Sequence, residues 1–207
     1  MSAAGPPQGA RPPGGERREA PIGGDHTSPQ AAISDALAKR ARAIRLLTCD
    51  VDGVLTDGRL YYGDDGTEMK VFSSLDGVGI KMLAQAGITI AWITGSNAPS
   101  VAHRARALGV ARVVQGAMDK LTPWDALRSE LGLPPAACAH IGDDLPDLPI
   151  LTRCGLGASV PHAPAPVRDR AHYVTLREGG AGAVREVCEL ILVAQDALAP
   201  QLAAFGA

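Results

Sequence analysis

The chain has 207 residues, 46% of them hydrophobic and 20% charged, enough to bury one full core but hardly two. A formal charge of -2 and a pI near 6.2 give no electrostatic reason to expect nucleic acid or an anionic membrane as partner, and small ligands are expected instead. No apolar run approaches the length of a bilayer span, no charged start leads into a hydrophobic block, and Cys49, Cys138, Cys154 and Cys188 include no CxxC pair, so a cytoplasmic protein with reduced thiols is expected.

Residues 1–30 are rich in Pro, Gly, Ala and Arg without hydrophobic periodicity, and cannot bury enough apolar surface to offset the entropy of ordering. A disordered tail is expected there, then one domain over residues 31–200 and a short tail at 201–207. Helix formers from Ser34 to Ala43 lead into the domain. Next comes Leu46-Leu47-Thr48-Cys49-Asp50-Val51-Asp52-Gly53-Val54-Leu55-Thr56-Asp57, an apolar run that ends in alternating carboxylates and a glycine. A strand alternates its side chains, so Asp50 and Asp52 leave its end on one side, where two anions must share a cation. Arg59–Tyr62 and Glu68–Phe72 flank Gly63-Asp64-Asp65-Gly66 and predict an antiparallel hairpin. A hairpin this short cannot cover itself; it must pack on the domain or pair with another subunit.

Beyond it, short apolar runs at Ile88–Ile93, Val113–Gln115, Ala139–Ile141, Leu156–Ala158 and Tyr173–Thr175 read as strands. Helical patterns at Val78–Ala86, Pro99–Leu108, Leu121–Leu131, Leu145–Arg153 and Pro164–Arg170 alternate with them, several ending at Gly87, Gly109 and Gly132. This alternation predicts an α/β fold, a doubly wound parallel sheet with helices on both faces. From Gly182 to Ala199, the apolar positions Val184, Val187, Leu190, Ile191 and Ala194 form a helical stripe that can dock on the sheet.

A second acidic loop, Ile141-Gly142-Asp143-Asp144-Leu145-Pro146-Asp147, also follows an apolar strand. Hard oxygen ligands of this kind favour Mg²⁺ over zinc. Asp144 and Asp147, three apart, suit a capped helix start as well as support of the loop or of a nearby lysine. Thr94 and Gly95 close the strand at Trp92-Ile93, where a hydroxyl and neighbouring N–H groups can hold a phosphate oxygen. Lys120 opens a helix; in isolation it would be an ordinary solvated charge.

In this order the segments DVDGVLTDG, ITG, the lysine and GDDLPD resemble the motifs of the haloacid dehalogenase superfamily. With YYGDDGTEMKVF, LDGVGIKML and GGAGAVREVCELIL they run from about Leu46 to Leu192 and are similar to the 3-deoxy-D-manno-octulosonate 8-phosphate phosphatase family, a small branch without a cap domain. The resemblance implies a Rossmann-like sheet of the haloacid dehalogenase type with an inserted β-hairpin, and an Mg²⁺-dependent phosphatase on the way to lipopolysaccharide. It implies Asp50 as nucleophile forming an aspartyl-phosphate and Asp52 as acid and base. Thr94 and Lys120 would hold the phosphate, and Asp50, Asp143 and the backbone carbonyl of Asp52 the metal. It also implies a homotetramer whose hairpins assemble into a central barrel, a neighbour helping to close each site.

Carried over position by position, Ser73, Asp76 and Gly77 follow the hairpin and would line the substrate site, with Gly95 and Ser96. Lys81 and Arg104 fall where basic side chains can face an anionic sugar acid or its phosphate, although each could be a plain helix charge. Three positions depart from the family pattern. Ser96 stands where an arginine is usual, Ser73 where asparagine is frequent, and Leu75 where many relatives have a basic residue. One hydroxyl cannot replace a bidentate guanidinium. The expected substrate is therefore 3-deoxy-D-manno-octulosonate 8-phosphate, with a nonulosonate 9-phosphate or another small phosphoester as the alternative. A non-catalytic assembly subunit is a third reading, opposed by so many facing charges.

Overall fold

The computed structural model describes residues 34–204 and 206. The tail expected over residues 1–30 lies outside the described residues. In chain order, α1 (Asp35–Arg42) is capped by the Ser34 hydroxyl, which accepts from Leu37 N–H, and leads into β1 (Leu46–Cys49). A two-stranded hairpin, β2 (Tyr61–Tyr62) and β3 (Glu68–Met69), follows. Then come α2 (Ser74–Gln85), β4 (Thr89–Ile93), α3 (Pro99–Leu108), β5 (Arg112–Val114), α4 (Leu121–Glu130) and β6 (Cys138–Ile141). The chain closes with α5 (Leu148–Leu151), β7 (Leu156–Ser159), α6 (Ala165–Arg168), β8 (Tyr173–Val174), α7 (Ala183–Ala194) and α8 (Leu198–Ala203). Thus α8 reaches into the segment expected as a C-terminal tail.

The main sheet is six-stranded and parallel throughout, in the order β5-β4-β1-β6-β7-β8. The chain winds outward from β1 to β5, then returns to lay β6, β7 and β8 on the other flank, so the switch point lies beside β1. In open sheets of this kind ligands collect beyond the carboxyl ends of the strands at that point. Both faces of the sheet are apolar. Leu47, Cys49, Ile90, Trp92, Ala139 and Ile141 join residues of α1, α2, α3 and α7 in one core, whereas Leu46, Ala91, Ile93 and Cys138 meet Trp124 and Leu127 of α4 and Ile150 of α5 in another. The period-2 alternation therefore fills two layers at once.

Three expected boundaries moved, each for a local reason. Helix α2 starts at Ser74 rather than Val78 because the Ser73 hydroxyl accepts from Leu75 N–H and nucleates an earlier turn. The expected helix at Leu145–Arg153 becomes a short 3₁₀ turn (Leu145–Asp147) followed by α5, where Pro146 and Pro149 lack the N–H groups a continuous helix would use. The C-terminal stripe divides between α7 and α8 at Asp196, whose φ of 57° is left-handed. The hairpin ladder is short, pairing Tyr61 with Met69 and Tyr62 with Glu68.

The loop after β1 is clamped from two sides. Gly53 adopts φ 86°, and a Cβ there would stand 2.0 Å from Asp143 Oδ2. Opposite, a Cβ on Gly179 would stand 1.8 Å from the Gly53 carbonyl oxygen, and Gly180 N–H donates to Val54 O at 3.0 Å. The glycine pair before α7 thus lets distant backbone press directly on the loop that carries Asp52. Gly179→Ala has backbone to displace and should cost about 1–3 kcal/mol in urea unfolding. Gly87→Ala, with φ 88° but open space around it, should cost about 1–2 kcal/mol through its backbone conformation alone. Only the first should alter the environment of the Asp50–Asp57 loop, read as perturbed amide resonances there.

Candidate active site

Asp50, Thr94 and Asp143 each lie just beyond the carboxyl end of a strand, after β1, β4 and β6 respectively. Asp50 N–H donates to Ile141 O at 3.0 Å and Thr94 N–H to Val114 O at 2.9 Å, so neighbouring strands fix where the two loops begin. Around them opens a cleft of about 320 Å³ lined by Asp50, Asp52, Thr94, Lys120 and Asp143, with Gly95 and Ser96 on its wall. Sequence reasoning thus selected residues that the fold brings together from four loops.

Lys120 is the cationic centre. Its ammonium lies 2.8 Å from Asp50 Oδ1 and 2.8 Å from Asp147 Oδ1, with all three side chains buried. Lys120 stands at the start of α4, where the Asp119 carboxylate accepts from Leu121 and Thr122 N–H. Asp147 is held in turn by His140, whose Nε2 stands 2.9 Å from the same Oδ1. A carboxylate only accepts, so Nε2 carries the proton. His140 Nδ1 meets the Thr48 hydroxyl at 2.8 Å, completing a buried series from β1 through β6 to the cleft. Sequence reasoning did not single out His140 or Thr48, since both read as ordinary strand residues.

Asp147 combines the two readings open from sequence. It pairs with Lys120, and its other oxygen accepts from Asp144 N–H at 3.4 Å in a capping box. Asp144 is exposed and caps the short 3₁₀ turn through Leu145 N–H.

The electrostatics fit a hard divalent cation. Carboxylate oxygens of Asp50, Asp143 and Asp147 all lie within 4.8 Å of one another. Burial, with Asp147 nearby, pushes the Asp50 carboxyl up to about 6 against the pull of Lys120. Burial, followed by the charges of Asp50 and Asp147, pushes Asp143 up to about 8. Burial also raises Asp147, but the hydrogen bond from His140 and the charge of Lys120 outweigh it and leave that group below its usual value. Asp147 Oδ1 is committed to two donors, so Asp50 and Asp143 are the pair with oxygens to offer a metal such as Mg²⁺. Asp52 lines the same cleft, but its Oδ1 accepts from Lys70 Nζ rather than sharing the cation site with Asp50.

Five expected substrate residues lie outside this cleft in the single chain. Ser73 caps α2, and its carbonyl accepts from Arg104 Nη2 at 3.1 Å. Asp76 is buried and accepts from Arg185 N–H at 2.8 Å, supplying the cap that Gly182 at the start of α7 cannot. Gly77 is packed against Arg104, where a Cβ would come within 2.6 Å of the guanidinium. Lys81 is exposed and forms no ion pair among the described residues. Arg104 faces a second concavity with Lys70, Phe72, Ser100 and His103. Gln115, unnoticed in sequence, ties the wall of the first cleft by donating to Ser96 O and Ala98 O.

A family model described as haloacid dehalogenase-like hydrolase matches residues 66–155. The 3-deoxy-D-manno-octulosonate 8-phosphate phosphatase of Yersinia pestis is 46% identical over 166 residues, which is 80% of this chain and 89% of that protein. The enzyme of the same name from Escherichia coli K12 is 44% identical over 165 residues, 80% of this chain and 87% of that protein. Among solved structures, the Moraxella catarrhalis 3-deoxy-D-manno-octulosonate 8-phosphate phosphatase, in complex with magnesium, phosphate and KDO, superposes with a TM-score of 0.82 at 44% identity, covering 84% of this chain and 99% of that one. No helix among the described residues is long and apolar enough to cross a membrane.

Two measurements test the metal reading. Asp143 at about 8 and Asp50 at about 6 hold protons in the metal-free fold that the unfolded chain has released above pH ~4, so metal-free stability should fall as pH rises from about 4 to about 8. Mg²⁺ uptake should expel those protons and tighten over the same window. Calorimetry in buffers of different ionisation enthalpy reads this as proton release at pH 7; none would refute it. Asp143→Asn should remove the Mg²⁺-induced rise in Tm and, by replacing a buried carboxyl that must take up a proton on folding at neutral pH, raise the metal-free Tm by about 2–4 °C.

Proposed function

The chain belongs to the 3-deoxy-D-manno-octulosonate 8-phosphate phosphatase family of haloacid dehalogenase-like hydrolases, and on that premise we propose that it is a phosphoric monoester hydrolase that removes phosphate from 3-deoxy-D-manno-octulosonate 8-phosphate through an aspartyl-phosphate, on the way to lipopolysaccharide. The observation that carries the reading is the meeting of Asp50, Lys120, Thr94 and Asp143 in one cleft beyond the carboxyl ends of β1, β4 and β6.

Asp50 attacks phosphorus in line, dividing one slow hydrolysis into two displacements. Its approach to a phosphate dianion is opposed by charge. An Mg²⁺ ion held by Asp50, Asp143 and the Asp52 carbonyl would supply the main neutralisation at that point. Lys120 has three hydrogens, two directed at Asp50 and Asp147, and the third is left for a phosphate oxygen. The Thr94 hydroxyl accepts from Ser96 N–H at 3.0 Å, which leaves its own proton to donate to the same group. Asp52, at the cleft's edge, protonates the leaving alcohol and then takes a proton from the water that cleaves the intermediate.

The cleft is open, and Met118 on its wall is 81% exposed. The hairpin also presents Leu60, Tyr62, Met69 and Val71 to solvent, large apolar side chains on a unit too short to cover itself. Both features support a homotetramer in which hairpins pair and a neighbour excludes water from each site. Ser73, Lys81 and Arg104 would then reach substrate in the assembly rather than in the single chain.

A second reading keeps the chemistry and changes the ester. Ser96 lines the cleft, and its hydroxyl accepts from Ala98 N–H, so the position offers no cationic fork to a sugar acid. Released phosphate measured across a panel of octulosonate 8-phosphate, nonulosonate 9-phosphates and simple sugar phosphates, with Mg²⁺ and with chelator, ranks the two. Preference for the octulosonate ester is expected; a nonulosonate ester cleaved fastest would instead favour the second reading. Asp50→Asn should lower turnover by more than about 10³-fold while the fold persists, and substantial residual activity would remove it as nucleophile. Ser96→Arg should raise activity on the octulosonate ester selectively; equal changes on unrelated esters would count against that account.

A further inference from the structure

Lys70 lines the second concavity, is firmly held against Asp52 of the cleft, and is left unused by the mechanism above. Its ammonium stands 2.5 Å from Asp52 Oδ1 and 2.7 Å from Glu68 Oε1, and its side chain is only 2% exposed. The hairpin around it is open to solvent at Tyr62 and Met69. Two residues further on, Phe72 stacks on Trp92 with ring centroids 6.2 Å apart and planes 14° from parallel. Trp92 is a fully buried residue of β4, two positions before Thr94. The segment leaving the hairpin is therefore pinned to the sheet that carries the cleft, and Lys70 sits between hairpin and cleft.

We propose that Lys70 is a positioning residue for Asp52, joining the hairpin to the acid–base step. The inference rests on the reading of Asp52 as acid and base given above. An aspartate at a cleft edge can rotate about its side-chain torsions, yet a proton donor must lie about 2.6–3.2 Å from the oxygen it serves. The ammonium takes Oδ1, and Oδ2 has no hydrogen-bond partner among the described residues. Oδ2 is thus the atom left to work in the cleft. In the first displacement the P–O bond to the alcohol breaks as Asp50 bonds to phosphorus; the electron pair departs with the bridging oxygen, which takes its proton from Asp52 Oδ2. In the second, water gives a proton to Oδ2 while its oxygen displaces Asp50 from phosphorus.

Glu68 explains why the hairpin is part of the device. It pairs with Tyr62 in the β2–β3 ladder and holds the second hydrogen of the Lys70 ammonium. A shift of the hairpin moves Glu68 and Lys70 together and releases Asp52. Whatever covers the exposed apolar side of the hairpin thereby also steadies the proton donor.

The test compares leaving groups in the full-length protein with Mg²⁺. One ester is the alkyl phosphate cleaved fastest in the panel, expected to be 3-deoxy-D-manno-octulosonate 8-phosphate; the other is p-nitrophenyl phosphate, whose phenolate departs without a proton. The value of kcat/KM covers steps up to departure of the alcohol. Asp52→Asn is the reference and should lose about 10²–10⁴-fold on the alkyl ester and far less on the aryl ester. Lys70→Met should repeat that selectivity at about 10- to 100-fold, with the aryl ester changed by less than about threefold, and Lys70→Arg should restore most of the loss. Glu68→Gln keeps the size of the side chain and should give a milder loss with the same selectivity, which also serves if Lys70→Met does not fold. Equal losses on both esters, or no loss on either, in the Lys70 and Glu68 variants would overturn the proposal. An unselective Asp52→Asn would instead overturn the role of Asp52.

Discussion

The structure turns on a crowding of negative charge. Asp50, Asp143 and Asp147 bring carboxylate oxygens within 4.8 Å of one another at the end of a parallel sheet, and a single buried lysine, Lys120, stands between two of them. Coulomb repulsion at such distances is worth several kcal/mol where water is sparse. The fold tolerates it because Lys120 and His140 offset Asp147 and because Asp50 and Asp143 retain protons more readily than free carboxylates do. The same imbalance is what the proposed cation would relieve.

Holding these groups in place takes the whole domain rather than the loops alone. Each of the three loops leaves a strand whose two faces are sealed in separate cores, so the loop ends cannot drift. The loop after β1 is then pressed between Asp143 and the Gly179-Gly180 backbone, more than a hundred residues downstream. Positions where a Cβ would overlap a neighbour's backbone leave little room for a loosened alternative arrangement. Rigid support of this kind keeps reacting groups aligned without further ordering when a ligand arrives.

The hairpin is the counterpart to that rigidity. It has two ladder pairs, exposed large side chains and one buried ammonium that reaches Asp52. A unit with so little surface of its own is governed by what it packs against. Among the described residues this element joins the cleft to the molecular surface, and its exposed apolar side chains are what the proposed assembly would cover.

Sequence by itself determined the layer architecture and the loops that carry chemistry. Apolar alternation in runs such as Leu46–Cys49 and Thr89–Ile93 is a local property, and carboxylates or a Thr-Gly pair at the end of a run are placed by the strand that precedes them. The resemblance to the family implies Ser73, Asp76 and Gly77 as substrate contacts, and within the single chain the same residues cap or pack helices, with Asp76 serving the start of α7 more than a hundred residues away. The partners of Lys120, the buried His140 and the grip of Lys70 on Asp52 were likewise decided by packing. Pairings across 18, 27 or 109 residues leave no periodic trace, because they arise where separate elements happen to meet once both cores have formed.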